Sequence, residues 1–199
     1  MTDQRRDLID ELAGIAPGSA LDAIRSRRAV ARENAQASYA LLLDPKEPGD
    51  FEAGDRRAVA AFVAALHGDD AVTAHYRALL GDGGRADAIE REAERAGTSG
   101  PYGAYPPGPL SAEDRAGLHY RADAAAIAGL GERLAAGLEH AHLLVFHPRD
   151  AKAEDLGRLL SAGWTPDAIV TLSQLVSFLA FQIRAAIGLR TLARAGDAA

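Results

Sequence analysis

Residues 166 to 190 read PDAIVTLSQLVSFLAFQIRAAIGLR, and this stretch decides the fold class. Ile169, Val170, Leu172, Leu175, Val176, Phe178, Leu179, Phe181, Ile183, Ile187 and Leu189 surround a helix on nearly every side, so it is expected to be buried on most sides. Its start is signalled by Thr165 as N-cap, Pro166 at the first helical position and Asp167 in the first turn. At about 100° per residue, Ser173, Ser177, Ala180, Arg184 and Gly188 share one narrow stripe, with Gln174 beside it and Gln182 nearly opposite. This seam has two readings. One is close helix packing, with Arg184 reaching solvent or pairing with a buried acid; the other is a cavity wall that carries a fixed positive charge.

The rest of the chain repeats the helical pattern. Leu8, Ile9 and Leu12 recur at helical spacing, and after Pro17-Gly18 the hydroxyl of Ser19 is a candidate N-cap for a segment carrying Leu21 and Ile24. A longer helix over residues 28 to 43 stops at Asp44-Pro45. Val59, Phe62, Val63 and Leu66 make one stripe, Val72, Tyr76, Leu79 and Leu80 a second, and together residues 52 to 81 read as a helical hairpin. Gly81-Asp82-Gly83-Gly84 ends it, and residues 86 to 95 form a charged, surface-facing helix. Residues 97 to 110 hold prolines, glycines, Tyr102 and Tyr105, and read as a rigid surface loop; the alternative is that the tyrosines cover a pocket mouth or dock on a neighbouring subunit. Residues 111 to 193 form a C-terminal helical half, stopped once at His147-Pro148, with Asp150 as a candidate cap for the helix over residues 153 to 160. No segment alternates as a strand does. The chain is thus expected to be a single all-α domain.

Composition narrows the function classes. The 199 residues are 48% hydrophobic and 25% charged, as in soluble globular proteins. The net charge of −6 and the scattered arginines argue against a nucleic-acid partner. Residues 1 to 14 lack an apolar leader core, and the run over 175 to 187 is interrupted by Ser177, Gln182 and Arg184, so no membrane span is expected and the protein is placed in the cytoplasm. The absence of cysteine removes disulfides, thiolate nucleophiles and zinc-thiolate sites.

The hairpin from Asp55-Arg56-Arg57-Ala58-Val59-Ala60 through Ala65-Leu66-His67-Gly68 to Ala74-His75-Tyr76-Arg77 resembles the carboxymuconolactone decarboxylase and alkylhydroperoxidase-D-like superfamily. His147-Pro148-Arg149-Asp150-Ala151, Gly163-Trp164, Ile169-Val170 and the run from Phe178 to Arg184 resemble its peroxidase-related branch, and the opening run resembles the N-terminal arm of one subgroup. The resemblance implies an alkylhydroperoxidase-D-like helical bundle with residues 1 to 45 as an arm, assembled into a homo-oligomer, a trimer or a hexamer. It also implies a peroxidase that works through two cysteines followed by a histidine. Here His75 holds the histidine position, but Gly68 and Ala71 stand where the cysteines belong, and the relay-acid stretch reads Arg56-Arg57, with Asp55 the nearest carboxylate. Thiol peroxidase chemistry is therefore impossible.

What remains is a cysteine-free, non-redox member that binds a small organic ligand or serves as a structural oligomer. The expected pocket lies near His75 and Arg184, with Gln174 and Ser177 as further ligand contacts. The alternative is a cofactor-independent lyase, isomerase or hydratase in which His75 moves a proton and Arg184 holds a carboxylate. No cofactor and no metal are expected. His140 and His142 differ by about 200° around a helix, and His140 and His147 lie roughly 10 Å apart along it. Neither spacing makes a chelating pair.

Overall fold

A computed structural model describes residues 7 to 197 of the chain, with side chains through residue 195. The protein is all-α. Among the described residues the only β feature is an isolated bridge between Gly103 and Arg115. Residues 1 to 6, on which part of the leader reading falls, lie outside this description.

The N-terminal arm comprises α1 (Leu8–Ala13), α2 (Ala20–Ser26) and α3 (Ala29–Leu43). The hairpin is α4 (Ala53–Leu66) and α5 (Asp70–Leu80), followed by α6 (Gly83–Ala96). Beyond the Pro/Gly/Tyr loop come α7 (Ala124–Leu130), α8 (Glu132–Phe146), α9 (Ala153–Ser161) and α10 (Pro166–Asp197). Short side chains start many of these helices by accepting an orphan amide: Asp7, Ser19, Asp69, Asp82 and Asp123 each cap the N–H three residues on. Thr165 does the same for Ala168, at 3.3 Å.

The central element is α4 rather than α10. Every residue from Ala58 to Ala64 is buried, and α4 packs on α3, α5, α6, α8 and α10. Alanine at 58, 60, 61 and 64 makes this possible, because a helix with few long side chains lets neighbours approach on all sides. Val59, Phe62 and Val63 supply the apolar bulk, each contributing about 1.5–3 kcal/mol by burial. The second half shares this core through Leu134, Leu138, Leu172, Leu175, Leu179 and Ile183.

Helix α10 is only half enclosed. Ile169, Leu172, Leu175, Val176, Leu179, Ile183 and Ala186 face inward. Val170 and Phe181 are more than half exposed, and Gln174, Ser177, Arg184 and Gly188 share that outer face. The expectation of burial on most sides is corrected accordingly: α1, α3, α4, α8 and α9 cover one face only. By length and composition Pro166–Ala195 would suffice to cross a membrane, a longer window than the run that the sequence reading judged too short. Gln182, opposite the exposed stripe, is buried and accepts a hydrogen bond from the Tyr76 hydroxyl.

Helix α6 also departs from its reading as a surface helix. Ala86, Ile89, Ala93 and Ala96 are buried against α4, because alanine counts as weakly apolar in a charged run yet packs tightly. Glu92 is buried with them, held by Arg95 at 2.8 Å and by the Tyr120 hydroxyl.

Three guanidinium groups fasten the parts. Arg25 bridges Asp7 and Asp10 at 2.7 and 2.6 Å, joining α1 to α2. Arg133 stacks over Trp164 at 4.3 Å, and Gly137 leaves room for that indole, since a Cβ there would stand 2.7 Å from it. Arg56 is 5% exposed and donates to the carbonyls of Phe51, Leu42 and Pro48 at 2.6, 3.0 and 2.8 Å, which ties the loop over residues 44 to 52 onto α4. Burial pulls its pKa below the ordinary arginine value. Arg56 thus has a structural task. Arg56→Met is expected to lower the unfolding free energy by about 2–4 kcal/mol, since the buried carbonyls lose their donors. Arg77→Met, at an exposed ion pair, should change it by less than about 1 kcal/mol. Urea unfolding midpoints check both.

Candidate functional site

The residues singled out from the sequence do not come together in a cleft. His75 on α5 is half-buried; its Nε2 meets the Tyr39 hydroxyl of the arm at 3.2 Å, and its ring stands edge-on to Tyr76 at 4.9 Å. Burial lowers its pKa, with Glu11 opposing. Arg184, Gln174 and Ser177 lie on the outer face of α10, and Ser177 Oγ donates to the Ser173 carbonyl at 2.8 Å. The charge of Arg184 is felt at His67 instead, where it adds to burial in lowering the pKa. His67 Nδ1 is bonded to the Val63 carbonyl at 2.8 Å. Gly68 lies in the α4–α5 turn and Ala71 in the first turn of α5, and Asp55 is engaged by Arg85 and Arg133.

A cleft of about 890 Å³ opens elsewhere, between α8, α9 and the segment over residues 103 to 121. His119, His140, His142 and His147 all line it, with Tyr120, Asp150, Arg115 and Lys152. A second cleft, of about 790 Å³, lies on the arm beside Asp10 and Arg32. Neither cleft is lined by His75 or Arg184.

The cleft is built by the loop that the sequence marks as rigid. Tyr102 is buried, donates its backbone N–H to the Phe146 carbonyl at 3.0 Å, and donates its hydroxyl to the Leu118 carbonyl. Its ring stacks on His147, with centroids 4.9 Å apart and planes 16° from parallel. Two glycines permit this. A Cβ on Gly117 would stand 2.3 Å from the Tyr102 ring, and one on Gly103, at φ +114°, 2.6 Å from the Asp150 carboxylate. Tyr102 does not itself line the cleft but stacks on His147, which does, while Tyr105 lies under the Arg149 guanidinium at 4.0 Å.

Asp150 does not cap α9, as expected from its position; Asp155 performs that task by accepting the Lys152 N–H at 2.8 Å. One oxygen of Asp150 instead accepts the Ala104 N–H at 2.8 Å, and the other meets His147 Nδ1 at 3.2 Å. His119 stands edge-on to His147 at 4.7 Å, and His142 lies 5.4 Å from the same ring. One donor atom from each of His119, His147 and Asp150 lies within 4.8 Å of the others.

Burial is the main force on these imidazoles. His142, 1% exposed, has its pKa pushed down to about 4, first by burial and then by His147, with the Ala96 carbonyl opposing. His147 is lowered by burial and by His119, against the pull of Asp150, and His140 by burial. His140 Nε2 meets Ser173 Oγ at 3.1 Å; that hydroxyl already donates to the Ile169 carbonyl, so the histidine is the donor. His140 Nδ1 and His142 Nε2 have no hydrogen-bond partner.

Spacing along a helix pairs His140, His142 and His147 only with one another, gives Asp150 the part of a cap, and offers no signal for His119. The His147–Asp150 pair, three residues apart, was visible in the sequence; His119 reaches the cluster through tertiary folding alone. The chain matches no family model and no curated protein.

The buried imidazoles set the acid response. Unfolded, they protonate near about pH 6.5; folded, His67, His75, His140, His142 and His147 take up a proton only at lower pH. Between those limits the unfolded chain binds more protons, so stability is full above the unfolded value and falls as the pH drops through it. The melting temperature is expected to decline from pH 7 to pH 5, and His142→Phe should flatten that decline. A scan of melting temperature against pH checks it.

Proposed function

We propose that the protein is a cysteine-free member of the alkylhydroperoxidase-D-like superfamily that binds a small organic acid, with the histidine-lined cleft as its pocket rather than the surroundings of His75. The observation that carries this reading is the convergence of four histidines on one cleft, two of them with buried ring nitrogens that have no partner. Among the described residues, Arg115 and Lys152 on the cleft wall make no ion pair and neither do Asp114 and Glu154, while Glu139 and Asp155 are matched by Arg121 and Arg158. Arg115 and Lys152 are the groups that would meet the carboxylate of such an acid. The superfamily assignment itself rests on the sequence likeness in the hairpin and the C-terminal half, together with the all-α fold.

A thermal-shift titration with short mono- and dicarboxylic acids tests the pocket. At a concentration a hundred times the dissociation constant, a true ligand stabilises by about 2.7 kcal/mol. At least one acid is expected to raise the melting temperature saturably in the wild type and in His75→Gln, and to lose that effect in Arg115→Ala. A shift that survives Arg115→Ala but disappears in His75→Gln would return the pocket to the hairpin.

Assembly into a homo-oligomer fits the outer face of α10. Val170, Gln174, Ser177, Phe181, Arg184 and Gly188 follow alternating steps of four and three, the spacing of a helix seam that meets another helix. Phe181→Glu is expected to reduce the oligomer to single chains in light scattering, and a monomeric wild type at micromolar concentration would contradict the assembly.

A further inference from the structure

We propose that His119, His147 and Asp150 form a binding site for a divalent transition-metal ion of the zinc type on the wall of the same cleft. The inference rests on the reading of that cleft as the ligand pocket and adds the ion that would hold the ligand there.

The donors are of the right kind. Two imidazoles and one carboxylate, without thiolate, suit zinc and its neighbours and leave coordination positions for water or an organic acid. The separation of His147 Nδ1 and Asp150 Oδ2, 3.2 Å, is that between two neighbouring ligands on one ion, since a tetrahedron with bonds of about 2.0–2.1 Å has edges of about 3.3 Å. In the metal-free chain a hydrogen bond fills the gap. One ligand atom from each of the three residues already lies within 4.8 Å of the others, so His119, exposed on its loop, closes the set by a shift of at most about 1.5 Å.

The supporting contacts orient two of the three ligands beforehand. The Ala104 N–H holds the second Asp150 oxygen, and Gly103 leaves space for that carboxylate. Stacking on Tyr102 fixes the plane of the His147 ring. Such outer contacts set ligand direction in metal centres. His142, 1% exposed, lies beside the cluster, its ring 5.4 Å from that of His147.

The test uses the full chain freed of metal by chelation. Zinc binding is followed by calorimetry, and cobalt(II) by its visible absorption, which reports nitrogen and oxygen coordination. One ion per chain is expected in the wild type and in His67→Gln, which removes an imidazole outside the cleft. His119→Ala, at an exposed position that folding does not need, and Asp150→Asn should each weaken binding at least tenfold, since loss of a merely supporting group already costs about 10- to 100-fold. Absence of stoichiometric uptake, or uptake unchanged by both variants, would overturn the site. Carboxylic-acid binding measured on the chelated protein separates the two proposals. If acids bind and metal does not, the metal site falls while the cleft stands; if neither binds, both fall.

Discussion

The structure depends on the close packing of α4. With alanine at four of the seven positions from 58 to 64, this helix can be approached by α5, α6, α8 and α10 together, and all seven residues are shielded from water. Larger side chains there would push at least one neighbour away and leave cavities, and close-packed interiors respond even to single methylenes. The two halves of the chain share one core because this helix is narrow. Arg56 adds the polar counterpart: one buried guanidinium satisfies three carbonyls of the loop that leads into α4.

The cleft is a consequence of how the second half closes on this core. Helix α8 presents Leu134 and Leu138 to the core and His142 to the cleft, while the turn at residues 147 to 150 brings an imidazole and a carboxylate into contact. The Pro/Gly/Tyr loop then lies across the turn, anchored by Tyr102 and admitted by Gly103 and Gly117. Burying several neutral histidines in one place makes no sense as core packing alone, because each carries a polar atom that prefers a partner. Their pKa values, lowered mainly by burial, keep them neutral near pH 7 and therefore available as hydrogen-bonding or ligating groups.

Much of the fold was legible because its signals are local. Ser19, Thr165 and Pro166 start helices where a short oxygen or a fixed φ predicts a start, and the hairpin expected over residues 52 to 81 is formed by α4 and α5. The errors share a physical cause. Apolar pattern alone makes residues 166 to 190 buried on most sides and residues 86 to 95 a surface helix, because alanine contributes little to hydropathy but most to close approach; in the folded chain α4 and α6 exploit it, and α10 keeps Val170 and Phe181 outside. Asp150 was read as a cap from its distance to the next helix, yet the pull of His147 and the Ala104 amide decides its position. His119 carries no local signal; only a folded loop brings it to within 4.7 Å of the His147 ring.

The central claim is that the proposed site lies in the histidine-lined cleft and not around His75 on the hairpin. Nuclear magnetic resonance of the six imidazoles, recorded while zinc and then a carboxylic acid are added, tests it most directly. The account predicts that the signals of His119, His142 and His147 move while those of His67 and His75 stay fixed. Movement confined to His67 and His75 would contradict it and restore the hairpin as the site.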